Sequence, residues 1–160
     1  MDQLKLVSGG QTGVDRAMLD FCLARGIPCG GWCPEGRSAE DGSIDPAYPV
    51  RELLGAGYEE RTAANVKDSD ATVIIFHRQM EGGTLKSFEY AKQEQKPVLL
   101  LDMSLMDIEK AARKLLDFVH AHKPRILNFS GPRHSEWPEG YNCCYALLQH
   151  MFGKGQTERP

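Results

Sequence analysis

The run Ala71 to Phe76 (ATVIIF) is apolar at every position but Thr72, with no alternation of polar and apolar residues. A strand with one face in water alternates. A run like this fits a strand covered on both faces, the habit of parallel sheets in α/β proteins. Val98 to Leu101 (VLLL) reads as a second buried strand. Shorter strands are expected at Leu4 to Val7 and Arg125 to Phe129, with an extended segment opening at Ile27-Pro28. Helical spacing of apolar residues falls between them: Val14 to Ala24, ended by Gly26; Met106 to His120, through Ala111, Ala112, Leu115, Leu116 and Val119; and Tyr141 to Met151. Three further short helices are expected, at Val50 to Leu54, from a Thr62 cap to Lys67, and from a Thr84 cap to about Gln95.

Strand and helix therefore alternate, with connections long enough for parallel crossovers. The expected fold is a Rossmann-like three-layer α/β/α sandwich around a mostly parallel sheet of about five strands. Ligands of such sheets sit beyond the carboxyl ends of the strands, where the strand order reverses. The polar inserts Ser8–Gly13, Gly30–Asp45, His77–Thr84 and Ser130–Gly140 all follow strands, so they should converge on that rim. The insert from Cys29 to Pro49 is rich in glycine and proline and carries Arg37, Glu40 and Asp41. An ordered loop of that length often shapes a site.

At 160 residues without a break in composition, residues 1–152 are read as one domain and 153–160 as a flexible tail. The formal charge is -3 and no basic block occurs, which argues against nucleic acid as a partner. No apolar run approaches a membrane span, and MDQLKLV lacks the apolar core of a signal peptide. Five cysteines, an odd number, fit reduced thiols in the cytoplasm. Cys29 and Cys33 do not make a metal site by themselves, and adjacent Cys143 and Cys144 point in different directions on a helix. No protein-held metal is expected.

Three motifs carry the chemistry. In SGGQTG, Gly9, Gly10 and Gly13 let backbone N–H groups approach an oxyanion, and Gln11 and Thr12 add donors. It is neither a Walker loop nor a G-x-G-x-x-G fingerprint. Asp15 and Arg16 open the helix that follows; each suits a structural ion pair as well as a ligand contact. In EGGTLKSFE, Gly82, Gly83 and Thr84 again open a helix after a buried strand, and Lys86 can add charge. In SGPRHSEWPEG, Arg133 offers a planar fork for phosphate, and His134, Glu136 and Trp137 are within the same insert. His77 follows the central strand, with no nucleophile beside it in the sequence. No G-x-S-x-G elbow and no H-E-x-x-H occurs, so the catalytic residues, if any, are not named by motif.

SGGQTGVDRAMLD, RTAANVKDSDATVII, the EGGT turn and LNFSGPR together resemble the "putative molybdenum carrier" family, within the circularly permuted YpsA-like branch of the LOG (lysine-decarboxylase-like) superfamily. The resemblance spans roughly residues 4 to 151. It implies a Rossmann-like fold, assembly as a homo-oligomer, and binding of the molybdenum cofactor, a phosphorylated pterin of molybdopterin type, with molybdoenzymes as candidate partners. Carried over by position, Gly9, Gly10, Gln11, Thr12 and Gly13 line one side of the pocket, Gly82, Gly83 and Thr84 line the phosphate side, and Asp15, Arg16 and Arg133 stand near them.

LOG phosphoribohydrolases carry P-G-G-x-G-T-x-x-E. Here Ser87 stands where their glutamate would be, and Glu89 falls on another side of the helix. That departure weighs against hydrolysis of a nucleotide unless another acid, Asp15, Glu81 or Glu89, points into the pocket. Three readings remain open from sequence: capture of a phosphorylated pterin, processing of a phosphorylated nucleotide, and nucleotide sensing.

Overall fold

A computed structural model describes residues 4–153. The residues expected to form a flexible tail lie outside that range, apart from Gly153. The elements in chain order are β1 (Lys5–Val7), α1 (Val14–Arg25), β2 (Cys29–Gly30), β3 (Trp32–Pro34), β4 (Ser38–Ala39), β5 (Gly42–Ser43), β6 (Arg51–Leu53), α2 (Tyr58–Lys67), β7 (Ala71–Phe76), α3 (Gly82–Gln93), β8 (Val98–Asp102), α4 (Ile108–His122), β9 (Ile126–Ser130) and α5 (Gly140–Phe152).

Five strands form one sheet in the order β2-β1-β9-β7-β8, every pair parallel. Right-handed crossovers then fix the layers. The chain moves one way from β1 to β2 and the other way from β7 to β8, so α1 and α3 lie on opposite faces. It turns back from β8 to β9, which returns α4 to the side of α1. The packing of α1 and α4 on α5, and of α2 on α3, agrees with that rule. The result is the three-layer α/β/α sandwich expected from the alternation of elements.

The central strand β7 is buried at all six positions. Val73, Ile74 and Ile75 are wholly inaccessible and pack against helices on both faces. Each such side chain contributes about 1.5–3 kcal/mol on burial, which outweighs the modest strand propensity of any one residue. The helix α1 ends where Gly26 adopts φ 68°, and its N–H returns to the Cys22 carbonyl. That is a left-handed cap, which glycine adopts without strain. The helix α4 begins at Asp107, whose carboxylate accepts from Lys110 N at 2.8 Å.

Four local expectations are corrected. Residues 51–53 are not helical: Arg51–Leu53 is a strand parallel to β3, in the register Trp32↔Arg51. Thr62 does not cap α2. The helix starts four residues earlier, where Gly57 N donates to Glu60 Oε1 at 3.1 Å, and Thr62 Oγ1 donates to the Tyr58 carbonyl inside the helix. Thr84 lies within the first turn of α3, whose N-cap is Glu81. Last, β8 is an edge strand and only Leu101 of it is fully buried. A short apolar run looks alike on an edge and in the middle of a sheet; the difference is tertiary.

One side chain gathers much of the backbone of the long insert after β2. The Arg37 guanidinium donates to the carbonyls of Ile44, Val50, Asp45 and Tyr48 at 2.8–3.1 Å. Four backbone acceptors that no sheet satisfies are met this way.

Candidate functional site

The rim behaves as the topology requires. The segments after β1, β7 and β9 meet beyond the carboxyl ends of those strands, and α2 closes the side. Between them lies a cleft of about 330 Å³, within the range typical of small-ligand sites.

Of the residues read from sequence, Gln11, Asp15, Gly82, Gly83, Thr84 and Arg133 line this cleft. Gly9, Gly10, Thr12, Gly13 and Arg16 stand behind its wall, and the geometry gives each a different task. Gly13 has φ 84°, and a Cβ there would fall 2.6 Å from the Pro132 carbonyl oxygen. Glycine thus lets the loop after β9 close over the loop after β1. Thr12 Oγ1 donates to Glu40 and accepts from His134 N. Arg16 donates to the Gly10 carbonyl at 3.0 Å and forms a two-pronged ion pair with Asp41. Desolvation of the Arg16 guanidinium is more than offset by Asp41, so its pKa is raised.

The SGGQTG turn does hold an anion, and the chain supplies it. Gln11 N donates to Asp15 Oδ2 at 3.4 Å, and the Gly9 amide also favours the Asp15 carboxylate. Gly10 N turns to Ser8 Oγ, and Thr12 N to Gln11 Oε1. The open amides are elsewhere. At the start of α3 no side chain caps the helix, and Gly82 N and Gly83 N have no hydrogen-bond partner among the described residues. A Cβ at Gly83 would meet nothing within 4 Å. A bare helix N-terminus with space in front of it is where an oxyanion fits.

Arg61, on α2, escaped the sequence reading. It is only 8% exposed, its Nη1 lies 3.4 Å from Asp15 Oδ2, and its Nε is buried without a partner. A buried guanidinium with an unmet donor is costly unless something completes it. Helical periodicity from Tyr58 would have put Arg61 on the same face as Asn65, but nothing in the sequence says that this face turns towards β1. Tyr58, Glu59 and Thr62 come with it. Burial raises the Asp15 carboxyl to about 6, the pull of Arg61 and of the two backbone amides only partly opposing it.

Lys86 and Arg133 supply two more cations at the mouth. Each already faces an acid: Lys86 lies 3.7 Å from Glu59, and Arg133 Nε lies 3.5 Å from Glu136. Ser87 Oγ lies 2.6 Å from Ser130 Oγ and donates to the Gly83 carbonyl. It therefore joins α3 to the end of β9. Glu81 is exposed and accepts from Gln79 Nε2. Glu89 faces Lys86 on the outer flank of α3. Neither lines the cleft, so Asp15 is the one of the three candidate acids that does. Among the described residues no group of three or more His, Cys, Asp or Glu could hold a metal ion, and no helix is long and apolar enough to cross a membrane. All five cysteines are free thiols.

The model of the circularly permutated YpsA SLOG family matches residues 6–152. This chain belongs to that family. Among solved structures, this YpsA-type chain is similar to the crystal structure of a putative molybdenum carrier protein from Syntrophus aciditrophicus SB. The two are 40% identical, with 94% of this chain and 96% of that one covered, and superpose with a TM-score of 0.92. A search of curated proteins gives no match. The YpsA-type match runs from β1 to the end of α5, so it includes every segment that forms the rim.

Proposed function

We propose that the protein captures a small phosphorylated heterocycle, of molybdopterin type, in the cleft above β1, β9 and β7. The observation that carries this reading is the pair of unpartnered amides at Gly82 and Gly83, facing a space that also receives the buried Arg61 guanidinium. A phosphate there would gain two backbone donors, the positive end of α3 and the charge of the Arg61 guanidinium. Arg133 and Lys86 would exchange their acids for the ligand at the mouth. The similar structure named as a molybdenum carrier supports the choice of ligand class. A cytoplasmic setting, a homo-oligomer and delivery to molybdoenzymes belong to the same reading.

Such a ligand is cargo: binding and shielding do the work, and no bond need change. Purification under anaerobic conditions from a host that makes molybdopterin, with mass spectrometry of what co-purifies, tests the reading. A stoichiometric molybdopterin species is the expected result. A nucleotide in its place would overturn the choice of heterocycle, and no affinity for any phosphorylated species would overturn the reading as a whole.

One observation favours a second reading, processing of a phosphorylated nucleotide. Asp15 is a buried carboxyl raised to about 6 beside a cation, in a cleft. Those are the conditions that suit a proton-transferring acid or base. Turnover abolished by Asp15→Asn, with ligand affinity retained, would establish it. Absence of product with any nucleotide that binds would exclude it.

A further inference from the structure

The cleft continues past the loop that carries Gly82. Glu136, whose Oε2 would lie 3.6 Å from a Cβ at Gly82, walls the main cleft on one side and a smaller depression of about 180 Å³ on the other. His77, Pro132 and Trp137 line that depression. His77 and Trp137 also bound a wider, open hollow whose floor is Met103, Met106 and Ile108. His77, Trp137, Met103, Met106 and Ile108 have no part in the phosphate-holding reading above.

The two halves of this groove differ in charge. The main cleft sets three cations, Arg61, Lys86 and Arg133, against three acids, Asp15, Glu59 and Glu136. The hollow around Trp137 carries Asp107 and Glu139, and no lysine or arginine lines it. Phosphate belongs to the first and is disfavoured in the second. The second offers an aromatic face, two methionines with polarisable sulfur, and carboxylate acceptors at its edge. Such a lining matches a flat ring bearing amino donors.

The indole is also fixed in advance. Trp137 N donates to the Arg133 carbonyl, and Gly140 N donates to the Trp137 carbonyl. A Cβ at Gly140 would fall 2.9 Å from Trp137 Cε3, so glycine lets the ring lie against the start of α5. The His77 ring is 5.9 Å away and tilted by 40°. The indole, packed at the start of α5, is not ordered anew on binding, which lowers the entropic cost.

We propose that the hollow bordered by His77 and Trp137 is a second subsite that takes a planar, amino-bearing heterocycle, beside the phosphate subsite. The inference extends the capture reading and rests on it only for the phosphate half. An adenine and a pterin share the chemistry, and the test separates them.

The chain has two tryptophans. Trp32 is occupied elsewhere, with Nε1 donating to Asp68. In a Trp32→Phe background the fluorescence therefore reports Trp137 alone. Adenosine and 6-hydroxymethylpterin, neither of which carries phosphate, are each titrated against it, and the tighter quencher names the ring class. Calorimetry then measures AMP and ribose 5-phosphate on the unaltered chain, on Trp137→Ala and on His77→Ala. His77 is exposed, so its variant keeps the fold should Trp137→Ala disturb it. The expected result is quenching by at least one ring compound. AMP affinity should fall about 5- to 100-fold in both variants, the range that stacking of a base on an aromatic side chain gives, with ribose 5-phosphate unchanged. Ribose 5-phosphate binding without quenching by either ring, or AMP affinity untouched by both variants, would overturn the subsite and leave the phosphate reading intact. Quenching by a ring with no affinity for ribose 5-phosphate would sink the phosphate reading and leave the subsite standing.

Discussion

The Arg61 guanidinium lies directly on the Cα of Gly9. A Cβ at position 9 would fall 2.5 Å from Arg61 Cζ and 2.7 Å from Cδ, and closer still to Nη1. Glycine at the second residue of the SGG turn makes room for a side chain from α2, 52 residues further along the chain, that passes over it. The glycine that looks like a ligand contact in the sequence is in the structure a seat for the cation.

Gly9→Ala should therefore act through Arg61. The displaced guanidinium loses its place beside Asp15, and a phosphorylated ligand should bind about 10- to 100-fold more weakly, the worth of one charge-assisted hydrogen bond. Arg61→Ala should cost a similar factor, and the double variant should cost little more than either alone. Calorimetry with the co-purifying ligand measures all three; additive losses would show that Gly9 acts independently.

Asp15 predicts an unusual pH dependence. Its folded-state pKa, about 6, lies above the ordinary 3.8. Between those values the folded state holds more proton than the unfolded one, so stability falls as pH rises. The penalty vanishes well below the ordinary pKa, grows as pH rises, and levels off at about 3 kcal/mol by pH ~7, above the folded-state pKa. Urea unfolding from pH 4 to pH 7 reads it directly. Asp15→Asn should flatten that slope, and an unchanged slope would assign the titration to another group.

Gly83→Ala separates folding from binding. Its Cβ would meet nothing within 4 Å, and alanine is favoured over glycine in a helix by up to about 1 kcal/mol. The variant should melt no lower than the parent. It should bind phosphate-bearing ligands about threefold to tenfold more weakly, because the methyl group occupies the approach to the amide. Equal affinity would place the phosphate elsewhere.

Glu40 ties three rim loops together. Its carboxylate accepts from Thr12 Oγ1, from Ser135 Oγ at 2.6 Å and from Ser135 N at 3.0 Å. Those bonds outweigh its partial desolvation and hold its pKa below the usual range. Glu40→Ala should leave global stability within about 2 kcal/mol of the parent. The amides of His134 and Ser135 should exchange hydrogen faster, an effect confined to the rim. Uniform acceleration across the sheet would show that the contact supports the whole fold.

Much of the architecture was legible because burial writes itself into local pattern. ATVIIF fits a strand with both faces covered, and Gly26 marks the end of α1. The cleft was half legible. Gly82, Gly83 and Thr84 follow a buried strand and open a helix, so topology alone put them on the rim. Arg61 was not legible, since a helix face carries no mark of which strand it will overhang. The misread segment 51–53 has the same cause: its partner, β3, is nearly twenty residues away and pairs through backbone, which leaves little trace in the side chains.

The sequence by itself determined the alternation of elements, the parallel sheet and the side of the sheet on which polar loops gather. Periodicity and turn chemistry are properties of neighbours along the chain. Only the tertiary structure decided which donors stay free. It gave the amides of Gly9 and Gln11 to Asp15, turned those of Gly10 and Thr12 to neighbouring side chains, left those of Gly82 and Gly83 open, and set a guanidinium from α2 over Gly9. Hydrogen-bond satisfaction is settled between residues that are distant in sequence, and the chain's order does not record those distances.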